Sequence, residues 1–171
     1  MYYKMNNEQW VNHPDLPNHF LLSNFGRVQN THTNHITCGH IKKGQKDYYQ
    51  ITVSKNNKNK HFKIHRLMTI FLSPPDTPDQ ICIDHINGNS LDNNHQNLRW
   101  ASYQQNACNA KKWSNKVLPK GVTYRKDNNK YRARIRYHNH LITIGQYTSI
   151  DEASNAYKTK ADELFGEFAF H

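Results

Sequence analysis

Four side chains offer the plainest chemistry in this sequence. Asp84 and His85 end the apolar run ICIDHI, Asn97 enters NLRWAS, and Asn106 follows within the next stretch. In a strand, Asp84 and His85 face opposite sides unless a bend turns both inward. Asn106 falls about one turn into the helix expected after NLRWAS, roughly 6 Å along its axis from the cap at about 1.5 Å per residue. A helix laid across the two strands brings its amide oxygen toward the end of the first. One carboxylate and one amide oxygen make a sparse, hard-oxygen site. Such a pair suits Mg²⁺ or Mn²⁺ completed by water and a substrate phosphate, and suits zinc poorly. Taken singly, the same residues fit plainer tasks: Asp-His ahead of Asn87-Gly88 as turn chemistry, Asn97 as a loop residue, Asn106 as a cap partner.

Short elements must hold these groups. ICIDHI reads as a strand, Asn87-Gly88 as a turn, and NLRWAS as a second strand after a loop rich in Asn and Asp. Ser102-Tyr103-Gln104-Gln105 matches a capping box, which starts a helix at about Tyr103 and carries it to about Trp113. Upstream, HFLLSN, GRVQN and YYQITVS read as short strands separated by turns at Asn24–Gly26 and Lys43–Gly44. SKNNKNKH reads as a polar, basic loop at a hairpin tip. In HRLMTIFL, Leu67, Ile70 and Phe71 recur at i, i+3 and i+4, a short amphipathic helix that the prolines of SPPDTPD stop. His65 in that run reads as a packing or phosphate-facing residue. After Pro119, GVTYRKD, KYRARIRYH and LITIGQYTS read as three strands joined by turns at Asp127–Asn129 and His138–His140. A helix from about Asp151 to Leu164 follows, with Ala153, Ala156, Tyr157, Lys160, Ala161 and Leu164 along one side and Gly166 at its end. The fold class is α+β. Expected divisions are a β-rich module at 1–60, the strand–loop–strand–helix region at 61–113, a basic linker at 114–118 and a sheet-plus-helix domain at 119–171.

Composition narrows the partners. The 171 residues carry 23 Lys plus Arg against 13 Asp plus Glu, a formal charge of +10. That surplus favours a polyanion, nucleic acid before an anionic membrane. A mean hydropathy of −0.98 and the lack of any apolar run near twenty residues exclude a transmembrane helix. The N-terminal residues contain no apolar stretch of signal-peptide length, which argues against secretion and for a cytoplasmic protein. Cys38, Cys82 and Cys108 form no C-x-x-C pair, so neither a disulfide framework nor a thiolate zinc site is expected. In KYRARIRYH, alternation puts Tyr131, Ala133, Ile135 and Tyr137 on one face and Arg132, Arg134 and Arg136 on the other. Between Lys111 and Arg136 there are ten basic residues and one acid, Asp127. Such a sheet fits the major groove of duplex DNA. Lys111, Lys112, Lys120, Arg125, Arg132, Arg134 and Arg136 are the expected contacts.

Together these runs resemble a known family. IDHINGN…NLRWAS…N is similar to the HNH motif of homing endonucleases, with the ββα-metal fold. The HRL box and the intervening asparagines resemble those of phage and group I intron-encoded HNH enzymes. W…LSNFGRV resembles the NUMOD4-like module that often precedes HNH, and GVTYRKD through GEFA resembles an AP2-type DNA-binding domain. The resemblance implies that His85 is the general base, that Asn97 holds its ring through a hydrogen bond, and that Asp84 and Asn106 bind one divalent cation. An imidazole with a pKa near ~6.5 is largely neutral at pH 7 and can accept that proton. Paired cysteines that bind structural zinc in some HNH proteins are missing, so no zinc is expected. The implied protein is a monomeric, Mg²⁺- or Mn²⁺-dependent endonuclease acting on double-stranded DNA. It would nick one strand, and would work in the host cytoplasm if a phage encodes it. Two other readings stand beside it: an AP2-type DNA-binding regulator with an inactive HNH site, and an RNA-binding or splicing cofactor that stacks bases on Tyr48, Tyr49 and Tyr103.

Overall fold

The structure, a computed structural model, describes residues 6–42, 47–55, 58–110 and 118–169. Two compact units divide the chain, Met1–Trp100 and Ala101–His171.

In the first unit, β1 (Trp10–Asn12), β2 (Phe20–Ser23), β3 (Val28–Asn30) and β4 (His35–Thr37) form an antiparallel meander. A second antiparallel sheet holds β5 (His40–Lys42), β6 (Tyr48–Lys55) and β7 (Lys58–Lys63). A single helical turn, α1 (Ile64–Leu67), tightens into a 3₁₀ turn over Met68–Phe71 and stops before Pro74 and Pro75. Finally β8 (Cys82–His85) pairs with β9 (Leu98–Ala101). Leu22 faces Val28 across β2 and β3, both essentially sealed from solvent. They share one core with Leu16, Ile51, Val53, Ile64, Leu67, Met68 and Leu98. The expected division at 60/61 therefore does not coincide with a break in packing, because apolar residues from both sides fill the same interior.

The β2–β3 connection is a tight, buried turn. Ser23 N donates to Arg27 O at 2.8 Å, Arg27 N to Ser23 Oγ at 3.1 Å, and Gly26 N to Ser23 O at 2.9 Å. Gly26 sits at φ +72°, a region that costs a side chain strain. Arg27 is buried and donates from Nε to Glu8 Oε1 at 2.8 Å, so its charge is paired where water is excluded.

Two expectations in this unit need correction. SKNNKNKH is mostly strand: β6 and β7 run through it, with Ser54 opposite Asn59 and Lys55 opposite Lys58, and only 56–57 fall outside the described residues. Thr52 Oγ1 with His61 Nδ1 at 2.9 Å and Ser54 Oγ with Asn59 Oδ1 give these polar residues cross-strand bonds that composition alone does not reveal. In the α1 region Leu67 is buried, but Ile70 is 43% exposed, because the shift to 3₁₀ geometry rotates it off the helical face.

The second unit opens with α2 (Tyr103–Asn109). Its capping box is complete: Ser102 Oγ accepts from Gln105 N at 3.2 Å, and Gln105 Oε1 from Ser102 N at 2.7 Å. The helix is shorter than expected, since Ala110 is already extended at ψ 131°. β10 (Val122–Arg125), β11 (Lys130–Tyr137) and β12 (His140–Tyr147) form an antiparallel sheet, followed by α3 (Ile150–Phe165). His138 and Asn139 both adopt positive φ, the type I′ geometry that suits a two-residue hairpin. Ser149 and Glu152 build a second capping box at α3. Ala153, Tyr157, Ala161 and Phe165 recur every fourth residue and pack on Ala133 and Ile135. Gly121, at φ +75°, lies so close to Tyr157 that a methyl there would sit 2.1 Å from the ring. No helix among the described residues is long and apolar enough to cross a membrane.

Burial sets a pH dependence for this unit. Desolvation pushes the Cys108 thiol up from 9.0 to about 11 and the Tyr157 phenol from 10.0 to about 12. Both groups hold their protons more tightly folded than unfolded, so their stabilising contribution is complete below pH 9 and is lost as pH rises through the folded values. We expect the thermal midpoint to fall between pH 9 and 11, and to fall less in Cys108→Ala. Equal falls in the two proteins would remove Cys108 from the effect.

Candidate active site

The site grows from the end of β8, where Asp84 and His85 are each only 3% exposed. Neighbouring residues cover most of both side chains. A buried carboxylate needs a cation or several donors. Arg99, on the paired strand β9, supplies one: its Nε donates to Asp84 Oδ2 at 3.0 Å. His85 Nε2 lies 3.2 Å from Asn93 Oδ1, and Asn93 is itself buried.

The loop between β8 and β9 is held by asparagine side chains. Asn97 Oδ1 accepts from Asn87 N at 3.0 Å, while its Nδ2 donates to Asn87 Oδ1 at 3.1 Å and to Asp92 O at 2.8 Å. Ile86 N donates to Asn97 O at 2.9 Å, and Gly88 N to His85 O at 2.8 Å. Asn97 thus ties the start of the loop to its end. The expected bond from Asn97 to the His85 ring is made by Asn93 instead, because the Asn97 amide is committed at both ends to the turn.

A second histidine stands beside the first. The His65 ring meets His85 edge-to-face, centroids 5.4 Å apart, and Tyr48 packs on His65 at 4.6 Å. Lys63 Nζ lies 4.6 Å from the centre of the Tyr48 ring, within cation–π range. Of the two sequence readings of His65, burial favours packing, and the surface it packs on is the candidate base. The HRL box carried the signal. Tyr48 is half-buried in this cluster, whereas Tyr103 is 72% exposed.

Asn106 lies in α2, in the second unit. There the basic residues divide by task. Lys120 Nζ donates to the carbonyls of Cys108 and Ala110, the latter at 3.1 Å, so its charge caps the end of α2 where carbonyls lack helical partners. Arg125 holds Asp127 through two bonds, Nε to Oδ1 at 3.0 Å and Nη2 to Oδ2 at 2.8 Å. Arg132, Arg134 and Arg136 alternate with the buried Ala133 and Ile135 along β11, so they occupy the other face of the sheet. Arg132 Nε is buried without a hydrogen-bond partner among the described residues. Lys111 and Lys112 lie outside the described residues.

Residues 62–108 match the family model described as HNH endonuclease. Over those residues the chain is similar to HNH endonucleases. An uncharacterized HNH endonuclease of Acanthamoeba polyphaga mimivirus is 36% identical over 107 residues, covering 63% of this chain and 55% of that protein. A second from the same virus is 37% identical over 90 residues, covering 52% of this chain and 26% of the relative. The DNA endonuclease I-HmuI of Bacillus phage SP01 is 32% identical over 104 residues, covering 59% of this chain and 56% of the enzyme. A solved structure described as DNA binding and cleavage by the HNH homing endonuclease I-HmuI aligns with a TM-score of 0.48 at 28% identity, over 58% of this chain and 55% of that one. The chain thus spans about half the length, or less, of the relatives it matches.

The buried pair gives a direct expectation. Arg99→Ala removes the cation beside a carboxylate held away from water, at a cost of about 3–5 kcal/mol. Urea unfolding of the two proteins measures it. A loss below about 1 kcal/mol, the range of exposed pairs, would show that water reaches Asp84 after all.

Proposed function

We propose that this chain is a site-specific, metal-dependent HNH homing-type DNA endonuclease that nicks one strand of a duplex. The observation that carries the reading is the buried Asp84–His85 pair, each member with its own polar partner, inside the segment that matches the HNH endonuclease family. The name of I-HmuI, a DNA endonuclease, supports DNA as the substrate.

In this reading His85 takes a proton from the attacking water, and Asn97 keeps the loop closed around it. Asp84 holds the cation, which water and substrate phosphate complete. The donor chemistry fits a hard divalent ion: a carboxylate offers about four lone-pair sites, so bonding Arg99 and ligating a cation are compatible. A hard ion such as Mg²⁺ keeps several waters and is held by one or two carboxylates plus substrate phosphate, a demand that a single carboxylate meets. Bound there, the cation would neutralise charge on the scissile phosphate and the departing 3′-oxygen. One such site hydrolyses one phosphodiester per binding event, hence a nick by a monomer. Arg132, Arg134 and Arg136, with Arg125 nearby, are proposed to meet the duplex. Lys111 and Lys112 are proposed to follow its backbone.

A supercoiled plasmid library carrying randomised inserts tests the proposal. Nicked circles should accumulate with Mg²⁺ and not with EDTA, and sequencing the ends should yield one motif. His85→Ala should lower turnover by about 10²–10⁴-fold at unchanged DNA affinity. Asp84→Ala should lose activity and its Mg²⁺ dependence together. Binding without cleavage would point to a regulator, and preferential retention of RNA to the splicing role. Arg134→Ala combined with Arg136→Ala should reduce the slope of log affinity against log salt by about 1.8. An unchanged slope would take both residues out of the interface.

A further inference from the structure

We infer that Asn93, pressed into place by the β2–β3 turn of the N-terminal sheet, is a positioning residue that fixes the tautomer and orientation of His85. The inference rests on the reading of His85 as the base and deepens it. Asn93 Oδ1 lies 3.2 Å from Nε2, and an amide oxygen only accepts, so this contact is a hydrogen bond in the Nε2–H tautomer, with the lone pair of the ring at Nδ1. Nδ1 is then the atom that takes the proton from water. Which nitrogen is basic is thus decided by a residue that touches neither the phosphate nor the cation.

The turn decides where Asn93 can be. A methyl group at Gly26 would lie 2.5 Å from Asn93 Cβ and 2.9 Å from its carbonyl oxygen, so bare glycine backbone forms the wall against which Asn93 rests. The neighbouring residue is anchored to the same turn: His95 N donates to Asn24 O at 2.9 Å, and His95 Nδ1 lies 3.1 Å from that oxygen. Asn24 is locked in its turn by its Oδ1, which accepts from Gln9 N at 3.0 Å, and by its backbone N, which donates to Gln9 O at 3.1 Å. The meander at the start of the chain therefore grips residues 93 to 95 from outside, and through them the imidazole.

Two measurements on the full chain separate the possibilities. Histidine-ring ¹H–¹⁵N correlation spectra, recorded without metal or DNA and assigned with His85→Ala, should report the Nε2–H tautomer for His85. Asn93→Ala and Gly26→Ala should both shift that ring toward a tautomer mixture while the His19 ring stays put. On plasmids that the wild-type protein nicks, Asn93→Ala should lower kcat by about 10²-fold with KM unchanged, and Asn93→Asp, which keeps an acceptor, should recover most of it. In a His85→Ala background, Asn93→Ala should cost nothing further, as expected of a residue that acts through the ring. Asn93→Ala adds no atoms, so it keeps the test intact if Gly26→Ala fails to fold. An inactive His85→Ala beside an Asn93→Ala with wild-type kcat and ring signals overturns this inference alone, as does a further loss in the double variant. A His85→Ala protein that nicks at the wild-type rate overturns the base reading and this inference with it.

Discussion

Burying a carboxylate and an imidazole side by side at the end of a two-stranded sheet is the constraint around which the first unit is built. Neither group tolerates removal from water without polar partners, and a sheet of two short strands cannot provide them from its own backbone. Arg99 answers the first need from the facing strand, and Asn93 answers the second from the loop. The loop must then be stiff enough to keep Asn93 in place. Asn97 and Asn87 stiffen it from within, and the Ser23–Arg27 turn from without. Each layer exists because the one inside it would otherwise leave a buried polar atom unsatisfied.

The second unit meets a different problem, crowding of like charge. Arg132, Arg134 and Arg136 share one face of β11, and Arg125 and Lys130 project from the strand ends beside them. Repulsion on that face is offset by what the opposite face gains: Ala153 and Ala161 let α3 approach closely, and Tyr157 and Phe165 fill the remaining space. Asp127, the acid of this run, is already bound to Arg125 and neutralises little beyond it. A surface left with that surplus gains when a polyanion covers it.

Much of this was legible in the sequence, and the failures have physical causes. Ser102 with Gln105, Asn87-Gly88, the turns at 127–129 and 138–140 and the apolar stripe of α3 are local signals, and local structure obeyed them. Asn97 and Asn93 could not be told apart. Five asparagines lie between positions 87 and 97, all with the same donor and acceptor, and only the path of the loop decides which one reaches the ring. The carbonyls of Cys108 and Ala110 that Lys120 meets become its neighbours only when the chain folds back, so composition shows its charge and not that cap. The tract from Ser54 to His61 read as loop because strand propensity carries little information where polar side chains bond across a ribbon.

The mixed interior of the first unit bears on how such a chain can be shuffled by recombination. Leu16, Leu22, Val28, Ile51 and Val53 interlock with Ile64, Leu67, Met68 and Leu98, so the segment similar to HNH endonucleases is not a portable cassette that begins at position 61. Transplanted from there, it would arrive without half the apolar mass that seals it. The interior it would leave behind lies wholly before the division at Trp100–Ala101.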